Sequence, residues 1–402
     1  MTTALINDKI KKSNSAFIGN VGNLLHALKL SNDDILELRA LLPHDRYRER
    51  TIKKKDGSDR RVYAPIPILK KIQNRIKNRV LADQDFISWP SYIFGSIRNQ
   101  KTESGKLDSR DYVACADKHS GAKSLLTVDI KDFFDNVHED IVAAVFEEYV
   151  SKNQAVIGLL LDVCCYEQHL VQGAPTSSYL ANMSLYDIEP QLVNKLARKG
   201  LIYTRLVDDI SVSSKIYDYD FSYALKLIED ALSEKGLYLN PEKVSQRSVG
   251  SAPLTVHGLR IDYQTARLPA AEVGQIRAHV KNLENAAKSY KSRTSYAYRQ
   301  DYARCMGRVN KLARVKHNQH SKYLERLRAI KPLPSGDEPA VCLKRLEALE
   351  KIYLEAKGTF SYRKNFYRLQ EKIYILSRSF PRAAEDMKKR MRLISPPAKE
   401  GK

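Results

Sequence analysis

Two apolar, strand-like runs in this chain end in carboxylates, and that pattern limits its fold more than any other feature. SLLTVDIKDFF at 124–134 reads as a buried strand that stops at Asp129 in an acidic turn. IYTRLVDDISVS at 202–213 alternates on both sides of Asp208 and Asp209, as a tight hairpin does. Carboxylates crowded at the ends of core strands repel one another and need a counter-charge, most commonly a metal ion. Taken singly, Asp129 could cap the helix after it, and the Asp-Asp pair could be plain turn residues.

The remaining pattern predicts a mixed α+β body followed by helices alone. Residues 20–43 carry leucines at helical spacing, with Ser31 and Asn32 as a cap between two short helices. RTIKKKDGSDRRVYAPI reads as a hairpin turning at Asp56-Gly57 and ending at Pro65 and Pro67. LKKIQNRIKNRVL puts Leu69, Ile72, Ile76 and Val80 on one helical face. A helix is expected through HEDIVAAVFEEYV, another from a Gly-Pro turn across 172–198, and a hairpin in LTVHGLRIDYQTARL. Beyond about 270 the pattern is helical, broken at KPLPSGDEP. Regular strand–helix alternation is missing, which argues against a doubly wound sheet, and so is a G-x-x-x-x-G-K-[ST] phosphate loop.

Composition adds a partner class. Of the net charge of +21, an excess of 18 lies in residues 271–402, where 31 Lys and Arg face 13 Asp and Glu. A single charge run would read as a solvated helix face, whereas a whole basic region points to nucleic acid. Its Tyr290, Tyr296, Tyr298, Tyr302, Tyr323, Tyr362 and Tyr367 are interleaved with those cations, some of them as core. No apolar run approaches the roughly 20 residues of a membrane span, and the first residues lack a signal-peptide pattern, so a cytoplasmic protein without membrane contact is expected. The five cysteines form no C-x-x-C pair and suggest reduced thiols.

Five short motifs stand in order: VDIKDFF at 128–134, QGAPTSS at 172–178, YTRLVDDISVS at 203–213, GLYLNPEKV at 236–244 and VHGLRI at 256–261. In order and spacing they resemble the palm motifs of reverse transcriptases, and DGSDRRVYAPIPILKKIQNRI resembles the fingers segment of retron and group II intron enzymes. The resemblance covers roughly residues 45–265. It implies a right-hand polymerase with an antiparallel palm sheet: a helical extension at 1–44, fingers at 45–123, palm at 124–265, and a basic helical thumb and RNA-binding region at 266–402.

Nucleotide addition is an in-line displacement at phosphorus that two magnesium ions about 4 Å apart can assist. Carried over residue by residue, the resemblance makes Asp129 and Asp208 the shared metal ligands, Asp209 a third carboxylate and the Ile130 carbonyl a backbone ligand. Phe134 matches the steric gate that selects dNTPs, beside Phe133, Lys131 and Asp132 in the nucleotide pocket. Gln172 and Gly173 match the loop against nucleotide and template, Arg60 or Arg61 the arginine that grips the triphosphate, and Lys243 the lysine that assists the leaving pyrophosphate. For Phe134 the alternative is a core aromatic, and for the arginines a solvent-facing hairpin.

Within the family the chain looks most like retron enzymes, with departures that suit a defence-associated bacterial reverse transcriptase equally well. Cys115 stands for Asn in their Asn-Ala-x-x-His signature, His257 for Thr in Val-Thr-Gly, Leu206 for an aromatic before x-Asp-Asp, and Ser178 for Pro. The resemblance implies an RNA-directed DNA polymerase that copies a structured noncoding RNA into a DNA product from dNTPs, in phage defence with a separate effector protein. Two alternatives stay open: a template-independent or protein-primed polymerase of the same fold, and a non-enzymatic, maturase-like RNA-binding protein. Neither an RNase H domain nor a zinc endonuclease tail is suggested.

Overall fold

The computed structural model describes residues 8–13, 17–53, 57, 59–102, 104–250 and 252–397 of the chain. Asp56 of the expected hairpin turn lies outside them. Contacts divide the chain into two units, Met1–Arg267 and Leu268–Glu400.

The first unit begins with helices α1 (Val21–Leu28) and α2 (Asn32–Arg39). Ser31 caps α2 in a reciprocal capping box with Asp34, satisfying two donors that a helix start leaves open. Strands β1 (Tyr47–Lys53) and β2 (Asp59–Pro65) pair antiparallel with Lys53 opposite Asp59. Pro67 opens α3 (Pro67–Ile76), where a missing N–H is harmless.

A five-stranded sheet organises the rest of this unit. Its strands in chain order are β3 (Ile93–Phe94), β4 (Ser124–Asp129), β5 (Ile202–Leu206), β6 (Asp209–Ser214) and β7 (Ser245–Ser248), and across the sheet they run β7-β4-β6-β5-β3. All neighbours are antiparallel except β5 and β3. Side chains alternate faces along a strand, so one parity, Leu126, Val128, Ile210 and Val212, joins the main apolar core. Helices at Glu139–Tyr149, Gln154–Cys164 and Ser222–Ser233 contribute Phe146, Leu160 and Ile228 to that core. The other parity places Thr127, Asp129, Asp209 and Ser211 around a cavity of about 300 Å3.

The single helix expected across 172–198 is two, Ser177–Met183 and Glu189–Arg198. Pro190 sits in the first turn of the second, the position a proline tolerates, and a continuous helix would have put it in the interior. Thr255–Val256 and Leu259–Arg260 pair as the expected small hairpin, turning at His257 and Gly258.

The second unit is all helical among its described residues. Ala270–Ala287, Tyr296–Arg314 and Gln319–Ala329 are linked by Lys311–Glu272 and Arg326–Glu284 ion pairs, each at 2.7 Å. Glu338–Lys351, Phe360–Leu376 and Pro381–Leu393 enclose a separate core of Cys342, Leu346, Phe366, Ile373, Met387 and Met391. Of the tyrosines singled out in this unit, Tyr298, Tyr323 and Tyr362 are buried, while Tyr290, Tyr296 and Tyr367 are exposed. All five cysteines are free and buried. Among the described residues, no helix is long and apolar enough to cross a membrane.

Candidate active site

Sheet register brings the acidic residues together. Asp129 ends β4 and Asp209 begins β6, and the two are direct cross-strand partners. The Ile130 amide donates to the Asp208 carbonyl at 3.0 Å, which ties the β5–β6 turn to the end of β4. Val207 and Asp208 form that turn, so Asp209 belongs to the strand and not to the hairpin tip. Opposed like charges destabilise a sheet, and their effect is visible in the protonation equilibria. Partial burial and the charges of Asp208 and Asp129 push the Asp209 carboxyl up to about 6. Asp208 is raised as well, chiefly by burial, with Asp129 adding to it.

Lys243 answers this acidity by direct contact. Lys243 Nζ donates to both Asp129 oxygens, at 2.8 and 2.9 Å, and that bond raises the lysine's own pKa. With Asp129 turned to the ammonium, no group of three or more His, Cys, Asp or Glu side chains among the described residues is gathered to hold a metal ion. The donor set nonetheless fits a hard divalent cation: carboxylate oxygens on rigid, facing strand ends and the turn beside them, where burial and crowding raise Asp208 and Asp209 in the absence of a stronger positive partner. Lys243 supplies only a single charge to that cluster.

The turn itself is held from behind by a buried network. Val207 has φ +62°, a conformation costly for a β-branched residue. Arg205, fully buried, donates to the Val207 carbonyl at 3.0 Å, to Asn182, and to both Glu189 oxygens at 2.6 and 2.7 Å. Tyr203 adds a hydrogen bond to Glu189 at 2.8 Å. Sequence reasoning assigned none of these residues a role. The available signal was an arginine inside an apolar strand, since a buried charge demands a partner.

A second polar chain reaches Asp209 from the other side. His119 bonds Ser213 and Thr204, both at 2.7 Å, and the Cys115 thiol donates to Thr204 at 3.2 Å. Cys115 lies 3.4 Å from His257 Nε2, and His257 Nδ1 is 3.8 Å from Asp209. Cys115 and His257, two of the four departures from the retron pattern, therefore touch each other.

The other candidate residues differ in their surroundings. Gln172 accepts from the Tyr63 amide at 2.8 Å, docking its loop on the edge of β2. Gly173 has φ +112°, and a Cβ there would lie 2.6 Å from the Tyr63 carbonyl oxygen, so only glycine fits. Arg60 and Arg61 project from opposite faces of β2. The charge of Arg60 reaches Asp208 and slightly offsets the rise that burial causes, while Arg61 lies 3.7 Å from Glu49. Phe133 is in the core at 2% exposure, whereas Phe134, its ring 6.1 Å away, is only half-buried. Lys131 and Asp132 are exposed, Asp132 with φ +44°.

Comparison with known proteins is consistent with this geometry. A family model for reverse transcriptase (RNA-dependent DNA polymerase) matches residues 52–291. Retron Ec48 reverse transcriptase of Escherichia coli is 41% identical over 395 residues, spanning 97% of this chain and 96% of that protein. Retron Se72 reverse transcriptase of Salmonella heidelberg is 26% identical across 75% of each chain. Retron Ec86 reverse transcriptase of Escherichia coli is 27% identical, covering 65% of this chain and 79% of its own length.

Proposed function

Because the chain belongs to the reverse transcriptase (RNA-dependent DNA polymerase) family, we propose that it is a retron-type enzyme that copies a structured noncoding RNA into DNA at the Asp129–Asp208–Asp209 cluster. The observation that carries this reading is the register of β4 against β6, which sets Asp129 opposite Asp209 with Asp208 tied to Ile130. Asp129 and Asp208 would hold two magnesium ions, with Asp209 and the Ile130 carbonyl as further oxygen donors. When bound, such ions activate the attacking 3′ oxygen and stabilise the leaving pyrophosphate.

The chain's own residues supply orientation, selection and a proton. Arg60 offers a planar guanidinium to the triphosphate, and Gln172 with Gly173 brings backbone close to the nucleotide. Lys131 and Asp132 border the same pocket. Phe134 presents its half-exposed ring where a ribose 2′-hydroxyl would project, while Phe133 anchors that turn in the core. Lys243 Nζ, charged at neutral pH, is the general acid for the departing pyrophosphate once Asp129 is given over to a metal ion and the bond that raises the lysine's pKa is relieved. The basic helical unit is the RNA-binding thumb, suited to A-form phosphates and 2′-hydroxyls. By likeness to the retron enzymes, the biological role is phage defence together with a separate effector protein.

Sequencing the nucleic acids that copurify with wild-type and Asp208→Asn protein tests this. A specific RNA recovered with both, and its complementary DNA with wild type alone, is the expected result. DNA formed without any RNA partner would instead favour a template-independent polymerase.

A further inference from the structure

The last two long helices, Phe360–Leu376 and Pro381–Leu393, form a groove of about 620 Å3 that the catalytic reading does not use. Tyr367 and Tyr374 line one wall, seven residues apart and therefore two turns along the same helix face. Both are mostly exposed, at 56% and 60%, although tyrosines of this unit that serve the core are buried almost completely. Each ring is braced. Tyr367 packs edge-on against buried Phe366 at 5.4 Å. The Arg378 guanidinium stands 5.3 Å from the Tyr374 ring centre and is itself anchored to the Pro332 carbonyl at 2.6 Å.

The facing wall is Lys388, Met391 and Arg392. Lys388 has only a 3.9 Å surface contact with Glu385, and Arg392 pairs with no carboxylate among the described residues. Among the described residues, Glu371 is the one acidic side chain lining the groove. Its charge is outweighed, because residues 360–395 hold ten Lys and Arg against three Asp and Glu. Fixed aromatic faces on one side and cations on the other are what a flexible polyanion with flat bases requires, since every base has a face to stack and every linkage a charge to neutralise.

We infer that the groove between Phe360–Leu376 and Pro381–Leu393 binds single-stranded nucleic acid, with bases stacked on Tyr367 and Tyr374 and phosphates on Lys388 and Arg392. A duplex does not fit this arrangement, because its bases are already stacked on one another. The inference goes beyond the catalytic proposal and does not depend on the acidic cluster.

The test uses full-length Asp208→Asn protein, so that polymerisation contributes nothing, and 15-nucleotide oligo(U) and oligo(dT) strands carrying 5-iodouracil. Ultraviolet crosslinking and peptide mapping should place adducts on Tyr367 or Tyr374. Combining Tyr367→Ala with Tyr374→Ala should raise the single-strand Kd about tenfold or more, while the paired Phe substitutions keep the rings and stay within about twofold. Combining Lys388→Gln with Arg392→Gln should lower the log–log salt slope by roughly 1.4, as expected for two lost phosphate contacts on a single strand. Loss with oligo(U) alone names RNA as the ligand, loss with oligo(dT) alone names DNA, and loss with both supports the shared chemistry. Unchanged single-strand affinity in the Ala pair, absence of adducts in the groove, or equal weakening toward a blunt duplex would overturn the inference, the first two leaving the groove to a protein partner or to none.

Discussion

Lys243 Nζ bonds both carboxylate oxygens of Asp129, at 2.8 and 2.9 Å, across 114 residues of sequence. The ammonium therefore competes with any cation for that carboxylate. Replacing it should have two opposed effects. In Lys243→Met, the magnesium concentration for half-maximal single-nucleotide incorporation falls, because Asp129 no longer has a resident partner. The saturating rate falls by about a hundredfold, the scale of a lost general acid. A metal titration of incorporation reads both, and an unchanged or higher magnesium requirement refutes the competition.

Gly173→Ala places a Cβ 2.6 Å from the Tyr63 carbonyl at φ +112°. Every atom it would meet is Tyr63 backbone and not a flexible side-chain end, so the loop must leave the β2 edge. The expected result is a KM for dNTP raised about tenfold with a small change in melting temperature, because Gly173 is itself exposed while the flanking Val171 and Ala174 stay in the main core. Steady-state kinetics with each dNTP measures it, and wild-type KM values would show that loop docking is irrelevant to nucleotide binding.

Arg205→Met strands Glu189 as a buried, unpaired charge and removes the donor to Val207. Breaking such a pair costs about 3–5 kcal/mol. At roughly 2–4 °C per kcal/mol for a unit of this size, the melting temperature drops by about 6–20 °C. Adding Glu189→Leu should recover much of that stability by removing the orphaned charge. Turnover should stay at least about tenfold low, because the Val207 carbonyl still lacks its donor. Full recovery of turnover in the double variant would reduce Arg205 to a purely structural role.

His119 gives a pH signature. Burial lowers its pKa to about 3 from an ordinary value near 6.5, so the folded protein holds it neutral between hydroxyls of Ser213 and Thr204. Below about pH 6.5 the unfolded chain takes up a proton that the folded chain refuses. Stability therefore falls as pH drops from about 6.5 toward 3, by up to about 1.4 kcal/mol per pH unit from this group. Denaturant unfolding at pH 7, 6, 5 and 4 should show a slope shallower by that amount in His119→Gln. Parallel slopes for the two proteins would contradict the burial argument.

The sequence by itself determined most of the elements and the acidic residues they carry. Period-two alternation on either side of Asp208 and Asp209 marked the β5–β6 hairpin, the apolar run before Asp129 marked β4, and helical spacing with surplus charge marked the second unit. These signals are local, because a strand or an amphipathic helix is written in the residues that form it. Helix boundaries were less legible: the break between Met183 and Glu189 was missed although Pro190 announced it.

Tertiary structure alone decided how those elements meet. The strand order β7-β4-β6-β5-β3 is what puts Lys243 on Asp129 and sets Asp129 against Asp209, and packing buries Phe133 while leaving Phe134 half-exposed. The same packing closed the Arg205–Glu189 pair and brought Cys115 to His257 from 142 residues away. No periodicity encodes such contacts. They follow from which sheet edges pair and which faces bury, and the energy that selects them is spread over the whole apolar core.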